Sequence, residues 1–273
     1  MQAFADRLAQ LVDARGPVCA GIDPRPERLP LGWSAAAWGA AAAEVLGSKV
    51  AVIKPQLAFF EDDPLAIDAV GRAARAGGSL LLADAKRGDI GSTAEAYARR
   101  WLSADAPIDA LTINPYLGPD TLRPFVDAAV AAGKGVFVLV RTSNPGAEEL
   151  QSARLDDGTL VVDRVASWVR ELGAPHVGEA GWSPVGAVVG LTVDAAEVAR
   201  LRSVMPHTPF LMPGYGAQGG SLEAYHAAAT RPGGALVSAS RSLTHPWEGA
   251  APDDWRARIE AALEAMNQDL GRG

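Results

Sequence analysis

Cysteine is almost absent from this sequence: 273 residues contain one, Cys19. A lone thiol excludes an internal disulfide, so the expected setting is a reducing, cytoplasmic one. Cys19 lies in an apolar run and reads as a small buried hydrophobe rather than a nucleophile. Histidine is scarce too, and His176, His207, His226 and His245 stand at no metal-ligand spacing from another His, Cys or Glu. No metal site is assigned. Basic charge is outweighed, with 25 Lys and Arg against 32 Asp and Glu and a net charge of -7. Such a balance offers phosphate backbones no attraction, so nucleic acid is excluded as a partner, and an anionic small molecule needs locally placed donors. No apolar window approaches the ~18 residues of a membrane span, so no membrane association is expected. The stretch Met1 to Arg15 has Leu8, Leu11 and Val12 at helical spacing among alternating charges, which predicts a helix and not a signal peptide.

What the chain has in quantity is repetition. Apolar runs recur at Val18 to Asp23, Val50 to Pro55, Ser79 to Lys86, Ala110 to Pro115, Gly135 to Arg141, Val185 to Thr192, Thr208 to Gly214 and Ala235 to Ser240. Ala-rich amphipathic segments of helical length separate them, from Trp33 to Leu46 through to Asp253 to Met266. Eight strand-helix units within 273 residues predict an α/β fold. The expected form is a (β/α)8 TIM barrel with an extra N-terminal helix, spanning 1–273 as one domain, with an open sheet carrying extra strands as the alternative. The longest irregular stretches are Asn144 to Gly158 and Gly173 to Pro184. The first directly follows a strand, which assigns it to the face that carries active sites. Trp33, Trp38, Trp168, Trp247 and Trp255 fall on helical segments and read as core.

Polar residues collect where these strands end. Asp23 ends the first, Lys54 the second, Asp84 and Lys86 the third, Asn114 the fourth, and Arg141 to Asn144 the fifth. A ring of such groups needs a ligand or one another, the plainer alternative being a structural layer of ion pairs across the barrel mouth. Period-2 alternation puts Asp84 and Lys86 side by side, with Asp89 three residues on. An ammonium between carboxylates stays charged, as a proton donor held by anions should. Further along, Met212 to Ser221 is a glycine-rich loop opening a helix, and the eighth strand ends in Ser238 to Ser242, with Arg241 beside that loop. Barrel phosphate sites are often built from those two loops.

Asp84-x-Lys86-x-x-Asp89-Ile90-Gly91-x-Thr93 resembles the signature of the orotidine 5'-phosphate decarboxylase family. Gly21-Ile22-Asp23, Lys54-Pro55, Arg141 to Gly146, Pro213 to Gly220 and Ser240-Arg241 resemble that family's other blocks in the right order, and the longer loops resemble its longer bacterial branch. The resemblance implies cofactor-free conversion of orotidine 5'-monophosphate to uridine 5'-monophosphate in pyrimidine biosynthesis. It implies Lys86 as the group that stabilises and protonates the C6 carbanion, with Asp84, Asp89 and Lys54 completing the catalytic set. Asp23 and Lys54 would hold the ribose, Ser143 would read the pyrimidine, and Gln218, Arg241, Gly219, Gly220 and Ser240 would grip the phosphate. Asp89, Ile90 and Thr93 would enter a neighbouring subunit's site, making a homodimer with shared active sites.

Three rivals stand beside that reading. A Schiff-base aldolase using Lys54 or Lys86 requires a neutral lysine, which flanking carboxylates oppose. A metal-dependent phosphosugar decarboxylase of the same superfamily shares the Asp-x-Lys-x-x-Asp core but not the Ile90-Gly91-x-Thr93 continuation. A non-catalytic phosphosugar- or nucleotide-binding barrel has no use for an intact Lys86.

Overall fold

The computed structural model describes residues 2–61, 63, 65–216 and 219–271. Helix α1 (Phe4–Arg15) precedes strands β1 (Val18–Ile22), β2 (Val52–Pro55), β3 (Leu80–Arg87), β4 (Ala110–Ile113), β5 (Gly135–Arg141), β6 (Val185–Val189), β7 (Phe210–Pro213) and β8 (Ala235–Ala239). All pairs are parallel and β8 returns to β1, so the sheet is a closed barrel in chain order. Around it run α2 (Ala35–Leu46), α3 (Ala66–Gly77), α4 (Gly91–Leu102), α5 (Pro119–Ala131), α6 (Ala147–Gln151), α7 (Val161–Gly173), α8 (Ala195–Val204), α9 (Leu222–Ala228), α10 (Arg241–Thr244) and α11 (Trp255–Asp269). The (β/α)8 barrel with its extra N-terminal helix is therefore the fold adopted. Strands covered on both faces need apolar residues throughout, which is why the runs read as continuous rather than alternating.

Side chains of α1 close the bottom of the barrel. Phe4, Leu8 and Val12 join Cys19, Val52, Leu82, Phe137, Leu211 and Leu236 in one apolar cluster. The Phe4 ring meets Phe137 edge-on at 6.2 Å and lies where a Cβ at position 135 would be, so only Gly135 admits it. Burial pushes the Cys19 thiol up to about 12, leaving it an inert core group, as expected. The helix C-termini also gather at this end, and their orphan carbonyls are met by basic side chains. Arg15 donates to Gly47 O, Arg7 to Gly133 O, Lys134 to Ser103 O and Arg202 to Ala228 O. Cations there answer helix dipoles.

The stretch Gly173 to Pro184 follows a helix and belongs to this bottom end. Trp182 within it is fully buried against Ala5 and Ala9 of α1 and donates to Pro232 O at 2.7 Å. Two tryptophans depart from the helical expectation: Trp33 precedes α2 and is partly exposed, and Trp247 follows α10. Trp38 and Trp255 are core, 4.7 Å apart, whereas Trp168 on α7 lines a cavity at the opposite end. Among the described residues no helix is long and apolar enough to cross a membrane.

Candidate active site

The strand C-termini open on the face opposite α1, and there the charged residues meet. Lys54 at the end of β2 is almost wholly buried, and its Nζ lies 3.0 Å from Asp84 Oδ2. The other Asp84 oxygen accepts from Lys86 Nζ at 2.6 Å and from Thr112 Oγ1 at 3.0 Å. Burial by itself would raise the Asp84 carboxyl, but two ammonium groups on its oxygens outweigh that and hold its pKa far below the usual carboxylate range. For Lys54, burial opposes the charge, and Asp84 and Asp23 outweigh it and push its pKa upward. A lysine, a carboxylate and a second lysine thus form one continuous array.

Lys86 stands at φ +48°, in the left-handed region, where the β3–β4 register shifts. Thr112 on β4 holds that bend, its Oγ1 accepting from the backbone N–H groups of both Ala85 and Lys86 at 2.9 Å. Thr112 was not among the residues singled out from the sequence. Its only signal there is a hydroxyl inside the apolar run Ala110 to Ile113, an ordinary feature of strands.

Two hollows flank the array. One, of about 720 Å³, runs from Lys54, Asp84 and Lys86 past Asn114 and Ser143 to an apolar wall that includes Leu139, Val165, Trp168 and Val188. Over it, Gln151 of α6 clips the end of β5, accepting from Thr142 N and donating to Thr142 Oγ1. The buried Arg141 pairs with Glu148 of α6 and with Glu197 of α8. The other hollow is a polar recess of about 220 Å³ whose walls include Asp23, Arg25, Gln56, Ser238, Ser240 and Arg241. It shares Lys54, Asp84 and Pro213 with the first, so the array sits at their junction.

Lys54, Asp84, Lys86, Asp23, Ser143, Ser240 and Arg241 therefore come together around two adjoining hollows with a common wall. Asp89, Ile90 and Thr93 do not. Asp89 was expected to flank Lys86, but its Oδ1 accepts from Ile90 N at the start of α4, and Ile90 is 63% exposed. Thr93 lines a separate surface hollow with Tyr97 and Trp101. Gly219 and Gly220 do not line the recess, because their amides are taken up inside the loop by Gly216 O and Gly214 O. The expectation for Gln218 lies outside the described residues. Among those residues no group of three or more His, Cys, Asp and Glu is placed to hold a metal ion.

A closed parallel barrel with an ionic array and a polar recess at its C-terminal mouth defines a (β/α)8 protein of the kind that keeps its chemistry on that face. The family model for orotidine 5'-phosphate decarboxylase / HUMPS matches residues 16–247. The chain belongs to that family. It is 38% identical to the orotidine 5'-phosphate decarboxylase of Rhodopirellula baltica across 99% of both chains. Identity to the Deinococcus radiodurans orotidine 5'-phosphate decarboxylase is 44%, over 81% of this chain and 80% of that one. In three dimensions it superposes on Leishmania donovani OMP decarboxylase with a TM-score of 0.76, at 31% identity and full coverage of both chains.

Proposed function

We propose that this chain decarboxylates orotidine 5'-monophosphate to uridine 5'-monophosphate, acting as one barrel domain in the cytoplasm and without a cofactor. The observation that carries the reading is the Lys54-Asp84-Lys86 array at the junction of an apolar cavity and an arginine-lined recess. Breaking the C6–carboxylate bond releases CO2 and leaves an electron pair on C6. The Lys86 ammonium stabilises that pair and then protonates it. Asp84, itself anchored by Lys54 and Thr112, keeps the Lys86 ammonium aimed. Asp23 and Lys54 hold the ribose hydroxyls, Ser143 reads the pyrimidine, and Ser240 and Arg241 grip the phosphate. Gln218 is assigned to that grip by the family's signature, and Gly219 and Gly220 join it, their amides exchanging loop carbonyls for phosphate oxygens. Grip at the phosphate, remote from C6, supplies binding energy that organises the reacting end.

The same proposal includes a homodimer. Asp89, Ile90 and Thr93 lie outside the two hollows that flank the array while belonging to the signature, and they serve the second subunit's site. Exposed Ile90, Tyr116 and Leu117 on neighbouring loops after β3 and β4 support that face as the contact.

The test follows the absorbance of orotidine 5'-monophosphate in the presence of chelator. Wild type turns the substrate over, and Lys86→Ala lowers kcat by at least about 10³-fold, the scale of a lost general acid with its electrostatic contribution. No turnover by pure, folded wild type overturns the reaction, and an unimpaired mutant overturns the role of Lys86. Loss of activity on chelation would favour the metal-dependent branch.

A further inference from the structure

We infer that Arg25 is a second cationic contact for the substrate's phosphate, facing Arg241 across the polar recess. The inference deepens the proposed function and rests on its reading of that recess as the phosphate end of the site.

A phosphate monoester carries a charge of about -1.5 to -2 at neutral pH, so a partly buried one needs more than a single cation. Three cationic side chains line the recess: Arg25, Lys54 and Arg241. Lys54 is already committed to Asp84. Among the described residues neither Arg25 nor Arg241 pairs with a carboxylate, although Arg7, Arg87, Arg141, Arg164 and Arg200 all do. The Arg25 guanidinium rests over the Phe59 ring at 5.9 Å, and its Nε is buried with no hydrogen-bond partner. A guanidinium that lines a polar hollow with no carboxylate beside it leaves its charge available to an anionic ligand.

Topology supplies the pairing. β1 lies beside β8, so the loops carrying Arg25 and Arg241 are neighbours at the barrel mouth. Thr244 of α10 joins them, its Oγ1 lying 2.9 Å from Gly21 O of β1 and 3.0 Å from Ser240 O. With the Gly219 and Gly220 amides engaged within their own loop and Lys54 on Asp84, the two guanidinium groups are the cations left to meet an arriving dianion among the described lining residues, which also include the Asp23 carboxylate.

The experiment measures binding of uridine 5'-monophosphate and of uridine by calorimetry, on wild type, Arg25→Gln, Arg25→Met and Arg241→Gln, with thermal melts as the folding control. Wild type should prefer the nucleotide over the nucleoside. Either Arg25 variant that folds should lose at least about tenfold of that preference, the scale of a charge-assisted hydrogen bond, as should Arg241→Gln. If Arg25 variants weaken nucleotide and nucleoside by the same factor, or weaken neither, the assignment is overturned and Arg25 serves the ribose or the fold. A wild type with no preference for the nucleotide also overturns it. A wild type that prefers the nucleotide yet fails to decarboxylate orotidine 5'-monophosphate overturns the activity and leaves the phosphate contact standing.

Discussion

Lys86 holds a left-handed backbone conformation that costs a side-chain-bearing residue about 1 kcal/mol, and Thr112 is what compensates it. One hydroxyl accepts from two consecutive amides and donates to Asp84, so backbone bend and carboxylate position are set together. Thr112→Val keeps the shape and removes the hydroxyl. Its expected effect is a 10- to 100-fold fall in kcat with KM little changed, restored by Thr112→Ser in steady-state assays. A rise confined to KM would place Thr112 in substrate binding instead. His245 is the other residue whose surroundings make a prediction. Burial among Trp38 and Trp247, then the like charges of Arg28 and Arg25, lower its pKa from 6.5 to about 4, Glu27 opposing. The unfolded chain therefore binds a proton between those values that the folded chain refuses. Stability should be fully present above pH 6.5 and fall as pH drops toward 4, by about 3 kcal/mol from this group. Urea midpoints at stepped pH should show the slope, and His245→Phe should flatten it.

At the scale of elements, α1 and α6 do opposite work. Leu8 of α1 is fully buried inside the barrel's lower end, with Phe4 seated on Gly135 beside it. Leu8→Ala should cost about 3 kcal/mol in urea unfolding while leaving KM unchanged, because the cavity it creates is at the far end from Lys86. An altered KM would mean that the plug communicates with the mouth. Helix α6 is a short cover, tied to the end of β5 by Gln151 and by Glu148 on Arg141. Glu148 itself is largely exposed, and its hydrogen bonds to Ser152 and Arg141 lower its pKa. With the Glu148 carboxylate exposed and Arg141 buried, solvent reaches their contact from one side only.

For the molecule as a whole, the decisive property is that one barrel holds only part of its signature in its own site. Lys86 and Asp84 line this chain's own cavity, while Asp89, Ile90 and Thr93 stand outside it, the last two exposed. Mixing a Lys86→Ala subunit with an Asp89→Asn subunit should restore activity toward one quarter to one half of wild type, since hybrid dimers contain one intact site. Continued inactivity after subunit exchange has been shown by mass spectrometry would remove the shared site. Sedimentation of the wild type should give twice the 28.3 kDa chain mass.

Periodicity of apolar runs was enough to specify eight strands, their intervening helices and the N-terminal helix, because burial on both faces leaves little freedom in composition. It also placed Asp84 beside Lys86, since alternation along a strand is local geometry, and put Lys54 at the end of its strand. The signature residues identified the family directly. What only the tertiary structure decided were relations between distant segments. Thr112 reaches Lys86 from the next strand, Trp182 anchors the bottom under α1, and the Gly219 and Gly220 amides turn back on their own loop. Arg25 likewise stands near Arg241 because a closed barrel makes its first and last strands neighbours. A linear pattern carries each residue's preference for burial, whereas proximity across the barrel is set by closure of the sheet.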